Sequence, residues 1–328
     1  MNGRNTMNTD SNNTLKLSAL LVGVIAVTQV LAAESPLPKF PRETTVFKLE
    51  SGPWKGPKLA DGQPDVQGHY SNTISNHSNL TDPQAGPPGG DRGSSRYKDQ
   101  PREARAPSRI VDPADGQVPF QSWARAKQQE LYDNFTKPVK PEYIDPGARC
   151  APAGPSRSFT WHGYEIAQYP GYVVIYFDSG TRIIHLDNKP HLAANIKLWN
   201  GDSRGHWEGN TLVVDVTNYN GKARFARTGE FASENATVKE RFIFDQDRER
   251  LIYQATYTDP TVYTRPWTLE IPNRRVEKYK EDGWNNMLSQ AKHSGKGEIL
   301  EHYERICAEN NGGFGGAAAP APAPARAL

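Results

Sequence analysis

From Gly163 onward the chain is written in short apolar runs separated by turn residues, and that spacing leaves few folds open. Tyr164 to Gln168 and Tyr172 to Phe177 flank Pro170–Gly171, which reads as a hairpin. Asp178-Ser179-Gly180 turns into Arg182 to Leu186, and Glu208-Gly209-Asn210 turns into Thr211 to Thr217. Thr237 to Phe244, Leu251 to Tyr257 and Trp267 to Ile271 follow. With His206–Trp207 counted as a separate strand, this makes about eight strands with hairpin-length links. Such a series predicts a mainly β chain closed into an antiparallel up-and-down barrel over 158–272; a two-sheet sandwich is the alternative.

The flanks read differently. Residues 34–157 form a Pro/Gly-rich arm, expected to run extended over a partner surface with little regular structure beyond one helix. Its turn at Asp61-Gly62-Gln63-Pro64-Asp65 leads into a short strand, Val66 to Tyr70. The helix is Gln121 to Phe135, where Trp123, Ala124, Leu131 and Phe135 share a face. Residues 273–309 are polar and helical, with Ile299, Leu300, Tyr303 and Ile306 spaced to pack on the barrel. The Ala-Pro repeats of 310–328 predict a disordered tail.

Arg4 and Lys16 precede an apolar run, Leu17 to Leu31, and the small residues Ala32 and Ala33. This pattern over 1–33 predicts a cleaved secretory signal and a periplasmic or secreted protein. The run falls short of the ~20 residues a membrane span needs, and no other segment is long enough. The chain has two cysteines, Cys150 and Cys307. In an oxidising compartment such a pair predicts a disulfide, worth about 4–5 kcal/mol on the chain-entropy account. The formal net charge is +2, and no basic run exceeds Asn273-Arg274-Arg275. That balance argues against nucleic acid as a partner. There is no nucleophile elbow, phosphate-cradling glycine loop or dinucleotide fingerprint, so no cofactor is expected.

Several stretches resemble a family of uncharacterised secreted bacterial proteins. They are ADGQPDVQGHY, VDPADGQVPFQSWARAK, DPGARCAPAGPSR, RIIHLDNKPHL, GDSRGHWEGNTLVVDVTNY, VKERF, YTDPTVYTRPW and HYERICAENNG. The resemblance covers nearly all the chain after the leader and implies no settled activity. Members often carry a histidine-serine pair where this chain has Ala232–Ser233, so a mechanism resting on that histidine is closed here.

Candidate chemistry gathers around the central strands. His185 and Asp187 lie two apart on a strand and share one side, as an acid–base couple would. His191 sits on a loop that can fold over the same mouth; with His185 and Asp187 it makes an alternative metal set suited to zinc or iron. In Leu212 to Thr217, alternation puts Val213, Asp215 and Thr217 on one face. With the apolar face covered by the arm and the C-terminal helix, Asp215 would face the lumen and pair with Arg241. Asp202 and His206 precede that strand and can reach the mouth, whereas Arg204 and Glu208 read as a structural clamp. Tyr263 is a candidate proton donor and Arg265 an oxyanion holder, with Trp267 lining the site.

The expectation is therefore a lipocalin-like barrel enclosing a small, partly apolar organic molecule. One reading is cofactor-independent acid–base catalysis, as an isomerase, lyase, dehydratase or hydrolase. His185, Asp187, Tyr263 and Arg241 would then be catalytic, and Arg265, Asp215, Asp202, His206, His191 and Trp267 would bind the ligand. The alternatives are a non-catalytic carrier, in which the same groups only orient the ligand, and a protein-interaction module.

Overall fold

The computed structural model describes residues 47–72, 79–83, 85, 101–152, 154–160, 163–177 and 180–275. The leader at 1–33, Cys307, the segment after Arg275 and the tail at 310–328 lie outside the described residues. Among the described residues, no helix is long and apolar enough to cross a membrane.

The protein is mainly β, a closed lipocalin-like barrel. Chain order gives β1 (Gly68–Asn72), β2 (Ile110–Asp112), helix α1 (Ser122–Asp133) and the short helix α2 (Pro155–Thr160). Then come β3 (Gly163–Tyr169), β4 (Tyr172–Phe177), β5 (Gly180–His185), β6 (Asp202–Glu208) and β7 (Thr211–Thr217). The series ends with β8 (Thr237–Phe244), β9 (Arg250–Thr258) and β10 (Trp267–Arg275). The sheet runs β1-β3-β4-β5-β6-β7-β8-β9-β10 and closes by pairing β10 with β1, while β2 pairs with β10 beside that closure. Neighbours are antiparallel except β5 and β6, which run parallel and meet at one residue pair, His185 with Arg204. The chain crosses between them through 186–201 rather than by a hairpin.

Alternation decides what fills the barrel. Leu212, Val214 and Val216 of β7 belong to the buried core, as do Val238, Phe242 and Phe244 of β8 and Leu251, Tyr253, Ala255 and Tyr257 of β9. Phe159 of α2 is inserted among them without solvent exposure; its ring stacks 4.1 Å from Tyr253 and meets Tyr164 edge-on at 4.9 Å. The core is thus packed with large rings. The face assignment made from sequence is reversed here. Asp215 points outward, with its side chain 48% exposed, and Lys239 binds it at 2.7 Å. Burying three aliphatic side chains of β7 favours this orientation by several kcal/mol over burying Asp215 and Thr217 in their place.

Both ends of the barrel are covered. At one end the extended segment from Phe47 to Val66 lies over the β6–β7 and β8–β9 turns. The Gly52 amide donates to Asn210 Oδ1 at 2.8 Å, and Asn210 Nδ2 donates to the Phe244 carbonyl at 2.7 Å. Gly209 (φ +61°) makes this contact possible, since a Cβ there would stand 2.0 Å from the Gly52 carbonyl oxygen. At the other end, α1 docks on the β9–β10 loop, where the Gln121 amide donates to the Val262 carbonyl at 2.8 Å.

A polar system lies inside this core. Arg182 of β5 reaches Glu240 of β8 through two guanidinium nitrogens, one of them at 2.9 Å, and also binds Ser203 Oγ at 3.0 and 3.2 Å. Tyr253 donates to Glu240 at 2.5 Å, and Ser156 links Tyr253 to Tyr257 at 2.9 and 2.5 Å. Burial works against the Arg182 charge, but Glu240 outweighs it and holds the arginine's pKa above its ordinary range. Removing one partner strands the other: Glu240→Leu should cost about 3–5 kcal/mol. Adding Arg182→Met to that variant should restore most of the loss, read as urea midpoints in a double-mutant cycle. Additive losses would show that the two side chains do not act as a pair.

Candidate functional site

The sequence-derived candidates separate into four places. His185 and Asp187 lie on the outer side of the barrel, because Arg182 and Ile184 take the inner positions of β5. The His185 ring rests edge-on against Tyr172 at 5.2 Å, and Asp187 pairs with Lys189 at 3.0 Å and Arg204 at 3.2 Å. Hydrogen bonding from Lys189 keeps the Asp187 pKa below the usual carboxylate range. Arg241 is also outside, on Glu208 at 3.5 Å and Ser51 at 2.9 Å, so the expected pairing of Arg241 with Asp215 is not formed. His206 stands on the same outer surface beside Glu208, at 3.1 Å. Tyr263 is buried in the end loop and donates to the Phe231 carbonyl at 2.6 Å; burial raises its pKa well above the ordinary tyrosine range. Arg265 is half-exposed and binds Asp112 at 2.6 Å, while Trp267 is a core ring stacked on Tyr257 at 5.0 Å. His185, Asp187, Tyr263 and Arg241 therefore do not converge on a lumen. Nor do His185, Asp187 and His191 assemble as metal ligands, since no group of three or more His, Cys, Asp or Glu among the described residues is placed to hold an ion.

Asp202, His191, Arg204 and Asp187 do come together, at the β5–β6 seam. Asp202 is buried under the crossover and accepts from His191 Nδ1 at 2.8 Å, the Leu192 amide at 3.1 Å and Arg204 Nε at 3.1 Å. Asn218, in a left-handed conformation (φ +61°), donates to the Ala193 and Ile196 carbonyls at 2.9 Å each. These bonds fasten 191–198 to the sheet where backbone pairing is sparse. Burial pushes the Asp202 pKa up, but the Arg204, His191 and Leu192 bonds outweigh it and leave the group below the usual carboxylate range.

A different feature has the shape of a binding site. Beside the covered end, α1, the 141–151 segment, Trp199 of the β5–β6 crossover and the long β7–β8 loop enclose an open cleft of about 1000 Å³. Trp123, Leu131, Ile144, Trp199 and Phe231 supply its apolar walls. Trp123, Lys127 and Glu130 fall four and three residues apart on α1, so one face of the helix looks into the cleft. The sequence reading placed Trp123 on the buried face with Ala124 and Leu131. Instead Trp123 is 51% exposed, held by a bond from its Nε1 to the Thr261 carbonyl at 3.0 Å. Glu130 receives the Tyr143 hydroxyl and Lys127 (3.1 Å), and those two bonds lower its pKa while the same Tyr143 contact raises the tyrosine's. Arg224 donates to the Glu142 carbonyl; burial lowers its pKa. The cleft was missed because its walls come from four separate segments, 123–131, 141–151, Trp199 and 221–231. The readable signal was the Trp123/Lys127/Glu130 spacing.

Comparison with protein-family models, curated proteins and solved structures gives no match. The geometry alone therefore carries the functional reading.

The seam makes a stability prediction with a definite sign. A depressed folded-state pKa contributes stability above the unfolded value of about 3.9, and that stability is lost as pH falls through the folded value. Asp202→Asn should therefore lower the urea midpoint at pH 7, by about 1–3 kcal/mol. The gap to the parent should narrow below about pH 4. A gap that stays constant to pH 2 would assign the loss to packing alone.

Proposed function

We propose that the protein binds a small, partly apolar organic molecule in the end cleft, as a non-catalytic carrier or receptor. One observation carries this reading: a cleft at the upper end of the volumes ligand sites occupy, in which three aromatic rings lie among a few charged groups. The reading moves the ligand from the lumen to the barrel's end. The lumen is filled by side chains such as Phe159, Tyr253 and Trp267. The acid–base reading drops with it, because its residues are dispersed over the outer surface and a buried loop.

The test uses the full chain incubated with extract of the growth medium, then separated from free solutes and analysed for retained compounds by mass spectrometry. Retained compounds should quench tryptophan fluorescence. Their affinity should fall about tenfold or more in Phe231→Ala and in Trp123→Ala, with the unfolding midpoint little changed for the exposed Trp123. Chemical turnover of the retained compound would reinstate the enzyme reading, and retention indifferent to both substitutions would place the ligand elsewhere.

Export belongs to the same proposal, because the leader-like pattern at 1–33 and the two cysteines fit an oxidising compartment. A Cys150–Cys307 bridge would then tie the chain beside the cleft, whose wall includes Arg149 and Ala151. Protein recovered from the periplasm or medium should lack free thiols until reduced and should gain about 2 Da on reduction; two titratable thiols in the untreated protein would refute the bridge.

A further inference from the structure

We propose that the ligand of this cleft is an amphipathic organic anion: a fused or substituted ring bearing a carboxylate or sulfonate. The inference rests on the binding function proposed above and adds the chemical class.

The charges on the walls are unequal. Lys127, Arg149, Lys222 and Arg224 line the cleft with only Glu130 and Glu142 as carboxylates, four cations against two anions. Their positions sharpen the imbalance. Glu130 is already engaged by Lys127 and Tyr143, and Arg224 is held on the Glu142 backbone carbonyl. Arg149 and Lys222 are exposed, and neither side chain has an ion-pair or hydrogen-bond partner among the described residues. Four other surface cations are paired: Lys239 with Asp215, Arg250 with Asp245, Arg248 with Asp65 and Arg265 with Asp112. What sets Arg149 and Lys222 apart is their place on the wall of a concave space. Against the one lining carboxylate left without an ion-pair partner among the described residues, Glu142, these two cations together with Arg224 leave the concave, aromatic-walled space net positive. That charge attracts an anion, and the low-dielectric walls strengthen the attraction over its value at an open surface. Trp123, Trp199 and Phe231 offer ring faces to the apolar part of the same molecule. A cationic ligand would meet net repulsion, and a polyhydroxylated neutral one would find few polar groups on the apolar walls.

The experiment titrates the full chain with 2-naphthoate and with its neutral counterpart 2-naphthalenemethanol, reading tryptophan quenching and calorimetric heat. The carboxylate should bind at least about tenfold tighter at low salt, and that advantage should shrink as ionic strength rises from roughly 0.02 to 0.5 M. The double variant Arg149→Ala/Lys222→Ala should lose the advantage while keeping its affinity for the alcohol; both residues are exposed, and an unchanged thermal midpoint confirms its fold. Equal affinity for the two probes, both weakened by Trp123→Ala, would overturn the anionic class and leave the cleft as a binding site. Anion preference that survives the double variant would overturn the assignment to Arg149 and Lys222. Failure of both probes to bind would remove the binding function itself.

Discussion

The barrel depends on how it closes across β5 and β6. Every other neighbouring pair in the ring shares at least three backbone partners, whereas these two strands share the single pair His185–Arg204. Side chains supply what the backbone ladder lacks, on both faces of the seam. On the inside, Arg182 joins Ser203 of β6 to Glu240 of β8. On the outside, Arg204 joins Asp187 to Asp202, and Asp202 and Asn218 hold the crossover down. Gly205 lets the two strands approach this closely, because a Cβ there would come within 2.8 Å of Ile184 Cγ2 and 3.3 Å of Leu186 Cδ2. An ion pair buried at this cost is best explained as a device fixing one closure of the ring among several that an apolar interior would permit.

That interior also settles where a ligand can go. With Phe159 entering from α2 and meeting Tyr164, Phe177, Phe242 and Tyr253, the space a lipocalin-like barrel could give to a guest is taken by the protein's own rings. A large concave space lies where connections are long. The 19 residues between β7 and β8 and the segment after α1 stand out from the barrel end, and their separation creates the cleft. The aromatic plug and the external cleft are thus consequences of one arrangement, an irregular region large enough both to fill the barrel and to build beside it.

Much of the fold was legible because strand alternation and turn residues are local. Pro170–Gly171 marks the β3–β4 turn, and Gly209–Asn210 marks the β6–β7 turn. Two elements were not legible. The six residues of α2 are too few to show a helical period, and β2 owes its existence to pairing with β10 rather than to its three-residue sequence. The candidate site was legible only in fragments. Asp187 and His191 are grouped at one mouth by the sequence and Arg204 reads as a clamp, but the meeting of all three around Asp202 depends on the crossover, which no sequence period announces.

The reversed face of β7 shows where the reasoning failed physically. Alternation correctly separated Leu212, Val214 and Val216 from Val213, Asp215 and Thr217, yet alternation has no sign. The inward sign for Asp215 rests on an apolar outer face covered by the arm and the C-terminal helix. β8 carries the information that decides against it: Val238, Phe242 and Phe244 share a face with Glu240, whereas Lys239 and Arg241 share the other. One acid among three apolar residues is a buried group with one partner to find, which Arg182 supplies. Two cations on the opposite face match two acids at the surface, Asp215 on the neighbouring β7 and Glu208 at the end of β6. Matching the charges face by face across adjacent strands therefore orients the sheet.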